Sequence, residues 1–146
     1  MDLEVWGEED SDEATLIRTP GELDAVLERV RSVDYGDHGI LLEALDAASP
    51  YRVILNVGIC GDHGSLRYAG NEHVDGVYSK NPDSTRSPMD AQLFYYMNNR
   101  RDFPANSLYP IDVVRRALMQ FMESDGKLPN VVAWQPTSVM SGNSGT

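Results

Sequence analysis

Two residues whose side chains could support covalent chemistry lie three positions apart, Cys60 and His63. A thiolate enzyme needs its cysteine beside a histidine base, and a helix N-terminus next to the sulfur favours the thiolate. Both residues fall instead in a predicted hairpin turn, and the other two histidines, His38 and His73, are scattered. A structural turn is therefore the favoured interpretation, and no catalytic residue is predicted. A small Cys/His hydrolase or transferase stays open as an alternative.

A metal site is the second kind of chemistry that these side chains could support. Asp62, His63 and His73 carry ligand groups, but their spacing matches no familiar ligand pattern. The single cysteine cannot build a sulfur-rich zinc site. The chain also has no phosphate-binding loop, dinucleotide-type glycine pattern or hydrolase elbow. We therefore predict no metal and no cofactor.

Two helices are predicted from apolar periodicity and capping residues. Thr19, Pro20 and Glu22 form a capping box, and apolar residues follow at helical spacing from Leu23 to Val30. Pro110 precedes a second apolar stripe, which consists of Ile111, Val114, Leu118 and Phe121. Gly126 is predicted to end that helix in a left-handed conformation, and Pro129 prevents it from restarting.

The remaining apolar segments are predicted to form strands. Alternation and turn residues predict strands at 2–5, 14–18, 40–45, 51–57, 65–69, 74–79, 93–97 and 131–135, with a turn at 98–102. Since strands neighbour strands, the predicted fold class is α+β, an antiparallel β-meander sheet with two amphipathic helices packed on one face. We expect one domain over residues 1–135 and a flexible C-terminal tail over 136–146.

Charge is distributed unevenly along the chain. The net charge is −11, and residues 1–50 hold 14 acidic and 3 basic side chains, whereas residues 51–146 hold 9 of each. Such a protein is not suited to bind nucleic acid, because like charges repel. It is suited to bind a basic protein, although solubility alone is a sufficient reason for an acidic surface. An acidic regulatory domain with another partner is thus a further alternative.

The C-terminal third also carries a resemblance. Its residues are Pro104, Ser107, Pro110, Val114 to Leu118, Phe121, Gly126, Pro129, Trp134 and Gln135, with a weaker echo in Gly64 to Gly70 and Tyr78 to Asn81. This pattern resembles the first-numbered immunity family of bacterial polymorphic toxin systems. The resemblance implies a protein that neutralises a toxin made by its own cell, and many such toxins are nucleic-acid deaminases.

The resemblance further implies a one-to-one complex that occludes the active site of a basic toxin domain, here expected to be a cytosine deaminase. Acidic side chains would steer the encounter, and apolar and aromatic contacts would hold the complex. We predict steering by the acidic residues Glu9, Asp10, Asp12 and Glu13. Further contacts are predicted where two turns and an adjacent strand share one end of the sheet, at Asp62, Glu72, Asp75 and Tyr95.

The compartment is predicted from what the sequence lacks. There is no run of 18 apolar residues, and the first residues have neither a basic start nor an apolar core. One cysteine cannot form an internal disulfide. We therefore expect a cytoplasmic protein with no membrane contact. Since no catalytic residue is predicted, we also expect no enzymatic activity.

Overall fold

The computed structural model describes residues 1–8, 11–33, 38–70 and 72–141. They contain two α-helices, α1 (Pro20–Arg31) and α2 (Ile111–Glu123). Ten strands accompany them: β1 Leu3–Trp6, β2 Thr15–Ile17, β3 Gly39–Asp46, β4 Ile54–Cys60, β5 His63–Gly70, β6 His73–Lys80, β7 Ala91–Tyr96, β8 Asn99–Pro104, β9 Tyr109–Pro110 and β10 Ala133–Pro136. Two short 3₁₀ helices, Ala105–Ser107 and Thr137–Ser141, complete the described elements.

The strands form one sheet in the order β10-β6-β5-β4-β3-β1-β2. β3 to β6 follow one another as a meander, and the neighbouring pairs along this order are antiparallel. β9 pairs with the start of β5, and β7 forms a hairpin with β8. The predicted α+β fold with a meander sheet is confirmed.

One edge of β3 is shared by two strands. β1 pairs with its second half, and β7 makes a short parallel pairing with Gly39 and Ile40 at its start. The change of partner occurs at Gly7, whose φ of +110° suits glycine. A Cβ atom on Gly7 would lie 2.5 Å from the carbonyl oxygen of Leu41. The chain thus leaves the edge at Gly7 and makes room for the β7–β8 hairpin.

Both helices pack on the same face of the sheet. Their apolar residues join the inward residues of β1 to β5 in the main core, and Leu23, Val114 and Phe121 are almost fully buried. Asp24 of α1 and Arg115 of α2 form an ion pair across the two helices. The predicted amphipathic stripes are therefore the faces that enclose the core.

The helix ends are fixed by local hydrogen bonds. Thr19 Oγ1 accepts from the amide of Glu22 at 3.2 Å, and the Glu22 carboxylate accepts from the amide of Arg18 at 2.9 Å. The first amide of α2 donates to the carbonyl of Asp62 in the β4–β5 turn at 2.8 Å. Gly126 has a φ of +86° and its amide donates to Phe121 O, so the left-handed conformation predicted for it is confirmed. Asp125, with a φ of +59°, is the first left-handed residue after α2.

The face opposite the helices carries a smaller apolar cluster. Leu41, Phe94 and Phe103 form its buried centre, and the Phe94 ring lies over Gly39 and Gly58. A Cβ atom on Gly58 would lie 2.7 Å from that ring. The two glycines therefore give the β7–β8 hairpin its close approach to the sheet.

Several segments differ from the sequence-based expectation or extend it. The strand expected at 51–57 is β4 at Ile54–Cys60, because residues 51 and 52 form a turn. Residues 98–102 were expected as a turn, but β8 occupies 99–104 and only Met97 and Asn98 form the turn. Val131 was expected in the last strand, but its amide donates to the Gln120 side chain, and β10 begins at Ala133. The expected tail includes the end of β10 and a 3₁₀ helix, and residues 142–146 lie outside the described residues.

Within the described ranges, no helix combines the length and the apolar character needed to span a lipid bilayer.

Candidate functional site

Cys60 and His63 close the β4–β5 hairpin as a cross-strand pair. Cys60 is half-buried beside the smaller apolar cluster, and His63 is exposed. No hydrogen bond joins the thiol to the imidazole among the bonds of the described residues. The N-terminus of α2 lies beside this turn, but Cys60 packs against the smaller cluster on the face opposite the helices. The geometry of the described residues therefore brings neither a base nor that helix N-terminus against the thiol.

Asp62, His63 and His73 do not gather at one point. His63 starts β5, and His73 lies beyond the other end of that strand, opposite Gly70. The eight residues of β5 span about 23 Å at the usual rise per residue. The three side chains are therefore not gathered in the folded chain into a set that could bind one metal ion.

The predicted contact residues fall into two groups at opposite ends of β5. Asp62 lies in the turn before the strand, whereas Glu72 lies in the turn after it and Asp75 follows on β6. The expectation that both turns share one end of the sheet is wrong, because successive turns of a meander alternate between its ends. Glu9 and Asp10 lie outside the described residues.

A groove of about 970 Å³ brings two of the predicted residues together, Asp12 and Tyr95. We call it the hairpin groove, because the β7–β8 tip forms one wall. Glu8, Ser11 and Asp12 form a second wall, and the residues just before and within β3 form the floor. Its lining includes Trp6, Glu8, Ser11, Asp12, His38, Ile40, Tyr95, Met97 and Asn98. The Tyr95 ring meets the His38 ring edge-on, with the ring centroids 4.3 Å apart.

The acidic residues around the hairpin groove differ in how they are paired. Glu8 accepts from Arg29 Nε at 2.9 Å and from Thr15 Oγ1 at 2.6 Å. Burial raises the pKa of Glu8, but these hydrogen bonds outweigh it and hold the pKa below the ordinary glutamate value. Asp12 and Glu13 are exposed, and within the described residues neither carboxylate has an ion-pair partner. They are therefore available to an incoming cation.

Asp62 lies at the same end of the sheet but on its helix side. Its carboxylate contacts Arg31 at 2.5 Å, and its side chain is 79% exposed. An exposed ion pair contributes little to stability, so Asp62 can exchange this partner at small cost. It does not line the hairpin groove.

A second cleft, of about 600 Å³, lies where β8 overhangs the outer face of the sheet. Arg67, Arg100 and Arg101 border it, and Glu43 lies on its floor. Burial raises the pKa of Glu43, which a hydrogen bond from Asn56 and the nearby Arg101 partly offset. No sequence pattern indicates this cleft, because its residues come from six different strands.

Several of the residues that carry the family resemblance take part, with Asn106, in a buried polar network behind these surfaces. The hydroxyl oxygens of Ser65 and Ser107 lie 2.7 Å apart, and Ser79 donates to the carbonyl of Ser107 at 2.8 Å. Gln135 donates to Ser79 O at 2.8 Å and to Asn106 Oδ1 at 2.9 Å. These contacts join β5, β6, β10 and the loop before α2, so the shared residues hold the scaffold.

Comparison with known proteins identifies this scaffold. The family described as immunity protein Imm1 matches residues 11–136 of the chain. The chain belongs to the Imm1 family of immunity proteins. Imm1 membership gives it a role in immunity against a toxin and implies that it binds a cognate toxin. A comparison with curated proteins found no match.

For an Imm1 protein, the relevant chemistry is that of a protein-binding surface. Family membership favours an inhibitor over an enzyme. Sequence reasoning found Asp12 and Tyr95 but missed Trp6, His38 and Met97, which line the same groove. Met97 was predicted at the end of the strand 93–97, so the sequence pattern did not indicate its place in the turn.

Proposed function

We propose that this Imm1 protein neutralises a nucleic-acid deaminase toxin, acting on cytosine, by covering the mouth of its active site in a one-to-one complex. The observation that carries the proposal is the hairpin groove, where the unpaired Asp12 and the aromatic Tyr95 face one cavity. The toxin class rests on the resemblance to immunity proteins of polymorphic toxin systems. We place the complex in the cytoplasm.

The charge of the groove rim fits that toxin class. An enzyme that acts on nucleic acid presents cations to phosphates, and Asp12 and Glu13 can occupy the positions that phosphates would take. Glu9 and Asp10 belong to the same acidic stretch of sequence. Such charges chiefly raise the association rate and suppress wrong partners, whereas desolvated aromatic and apolar contacts slow dissociation.

The two groups of predicted contacts have different places in this proposal. Asp12, Glu13 and Tyr95 form its centre, and Asp62 is peripheral because Arg31 already pairs with it. Glu72 and Asp75 lie toward the other end of β5, a strand that spans about 23 Å. We propose that these two contribute less to the encounter, which makes them a matched control of equal charge.

Inhibition in this proposal is by occupancy, without turnover. Cys60 packs beside an apolar cluster and His63 faces solvent. Neither lines the hairpin groove. The proposed role needs no bond to be made or broken, because a covered active site cannot admit its nucleic-acid substrate.

The test uses the C-terminal domain encoded by the gene beside that of the chain. Deamination of a cytosine-containing single-stranded oligonucleotide should fall to background when the chain reaches equimolar amounts. Asp12→Asn/Glu13→Gln should lower the association rate about 3- to 10-fold at low salt, and the effect should fade near 0.5 M salt. Glu72→Gln/Asp75→Asn should change the rate less than twofold.

Three results would count against the proposal, each against a different part. A toxin domain that binds the chain but deaminates no oligonucleotide would remove the deaminase assignment. A complex that still deaminates would remove active-site occlusion. Equal effects of the two double variants, or no effect of either, would remove the hairpin groove as the steering surface.

A further inference from the structure

The turn that joins β7 to β8 has an unusual backbone for its residues. Tyr96 pairs with Asn99, so Met97 and Asn98 alone form the connection. Their φ values are +48° and +70°, which is the left-handed pattern of a type I′ hairpin turn. Asparagine tolerates this region, but for a methionine it costs about 1–2 kcal/mol relative to the right-handed form. The strain at the tip therefore lies mainly at Met97.

Packing within the chain does not offset this strain. Met97 is 44% exposed, and among the described residues it belongs to neither of the two apolar clusters. An asparagine or glycine would form the same turn at lower cost. Folding alone therefore gives no reason for a methionine here, and strained exposed residues are enriched at binding sites.

The surroundings of Met97 supply a reason. It stands on the rim of the hairpin groove, whose other walls are held in place. Trp6 donates from its indole nitrogen to Glu4 at 2.6 Å, and the Tyr95 ring rests against His38. Met97 is thus the adaptable apolar side chain beside fixed aromatic walls. Unbranched, polarisable methionine suits contact with an irregular partner surface.

We propose that Met97 is the apolar anchor of the toxin interface and determines which toxin the groove accepts. Its partner is a toxin segment that presents an apolar pocket bordered by cations, which face Asp12 on the groove rim. We expect cations on the toxin segment because Asp12 has no ion-pair partner among the described residues. We expect an apolar pocket on it because Met97, Trp6 and Tyr95 line the groove. This inference rests on the proposed function and names the residue that gives it affinity.

The anchor acts through dissociation, because short-range apolar contacts form after the charged encounter. Truncating a central anchor of an interface typically weakens binding by tenfold or more. The free protein should respond in the opposite sense, since a residue suited to left-handed backbone relieves strain. The dissociation rate of the complex and the stability of the free protein together distinguish an anchor residue from one that only shapes the turn.

The experiment compares three variants with the wild-type chain against the same toxin domain. Met97→Asn should keep or raise the melting temperature and increase the dissociation rate at least tenfold. Met97→Leu keeps an apolar side chain and should bind within about threefold of wild type. Met89→Asn removes a methionine that is 61% exposed outside the groove, and its binding should be unchanged.

The outcomes distinguish the anchor from the proposed function. A wild-type chain that fails to bind the toxin domain would overturn both proposals. A wild-type chain that binds while Met97→Asn binds equally well would overturn only the anchor. A Met97→Leu variant as weak as Met97→Asn would also overturn it, because shape and apolar area would then not be what the toxin contacts.

Discussion

Asp46 is a buried carboxylate at the end of β3. It accepts from Arg52 Nη2 at 2.9 Å, from Arg52 Nε at 3.1 Å and from the amide of Ala48 at 2.9 Å. Arg52 also donates to the carbonyl of Asp125 at 3.0 Å, after the end of α2. One carboxylate thus fixes the arginine that joins the sheet to the second helix.

The pKa of Asp46 gives a pH-dependent prediction. Burial raises this pKa, but the hydrogen bonds from Arg52 and Ala48 outweigh it, so the folded-state pKa lies below the ordinary aspartate value. The stabilisation is therefore present above pH about 4 and lost as pH falls through the folded-state value. Asp46→Asn should lower the free energy of unfolding by about 1–3 kcal/mol at pH 7 and by less at pH 3.

Urea denaturation at both pH values measures this difference. Asp112→Asn serves as the control, because that carboxylate is exposed and 3.9 Å from Arg116, so its effect should stay below about 0.5 kcal/mol. A deficit for Asp46→Asn that is equally large at pH 7 and pH 3 would show that charge is not what Asp46 contributes.

Single residues were predictable where their role is local. Gly126 could be assigned from the sequence because a helix stop depends on its own φ. Asp62 and Glu72 were wrongly placed at one end of the sheet, although successive turns of the predicted meander must alternate between its ends. Alternation required Tyr95 and Tyr96 to point to opposite faces, but only the folded chain shows that Tyr95 lines the hairpin groove.

The β7–β8 hairpin owes its position to a ring packed on two glycines. Phe94 is fully buried over Gly39 and Gly58, and the hairpin carries both Tyr95 and Met97. Among the strands of the described residues, β7 pairs outside the hairpin with β3 alone, through two residues. The ring therefore contributes much of what holds the groove wall in place.

Gly58→Ala should loosen this hairpin. Its new Cβ would lie 2.7 Å from the Phe94 ring, too close for a buried ring that has no room to move. We expect a loss of about 1–3 kcal/mol in stability, faster hydrogen exchange in residues 91–104, and weaker toxin binding. Hydrogen exchange by mass spectrometry and a binding assay measure these effects.

Gly21→Ala is the matched control for that substitution. A Cβ atom on Gly21 meets only Thr19 Oγ1 at 3.9 Å, in the first turn of α1. Its stability should therefore be unchanged or slightly higher. Unchanged hairpin exchange in Gly58→Ala, with stability lowered elsewhere, would show that Phe94 does not hold the groove wall.

Elements with one buried face were predictable, and an exposed edge strand was not. Apolar periodicity and caps located both helices, since these signals are local. β8 begins with four exposed residues, Asn99 to Asp102, which have no alternation to detect. Its strand conformation comes from pairing with β7, which is a tertiary contact that composition cannot reveal.

Part of the negative charge of the first fifty residues is neutralised by ion pairs in the folded molecule. Several acids of the first fifty residues pair with arginines from other elements: Glu8 with Arg29, Asp24 with Arg115, and Asp46 with Arg52. Such pairing across elements cannot be read from a count of charges. Asp12 and Glu13 have no ion-pair partner in the described part of the chain, and we therefore place the encounter beside them.

A crystal structure of the complex with the toxin domain tests this account most directly. The account predicts that Asp12, Tyr95 and Met97 lie in the interface and that the toxin's active-site mouth is covered. It also predicts that Glu72 and Asp75 remain in solvent. A complex in which the hairpin groove is open to solvent, while the toxin contacts the helices or the Glu72 end of β5, would contradict it.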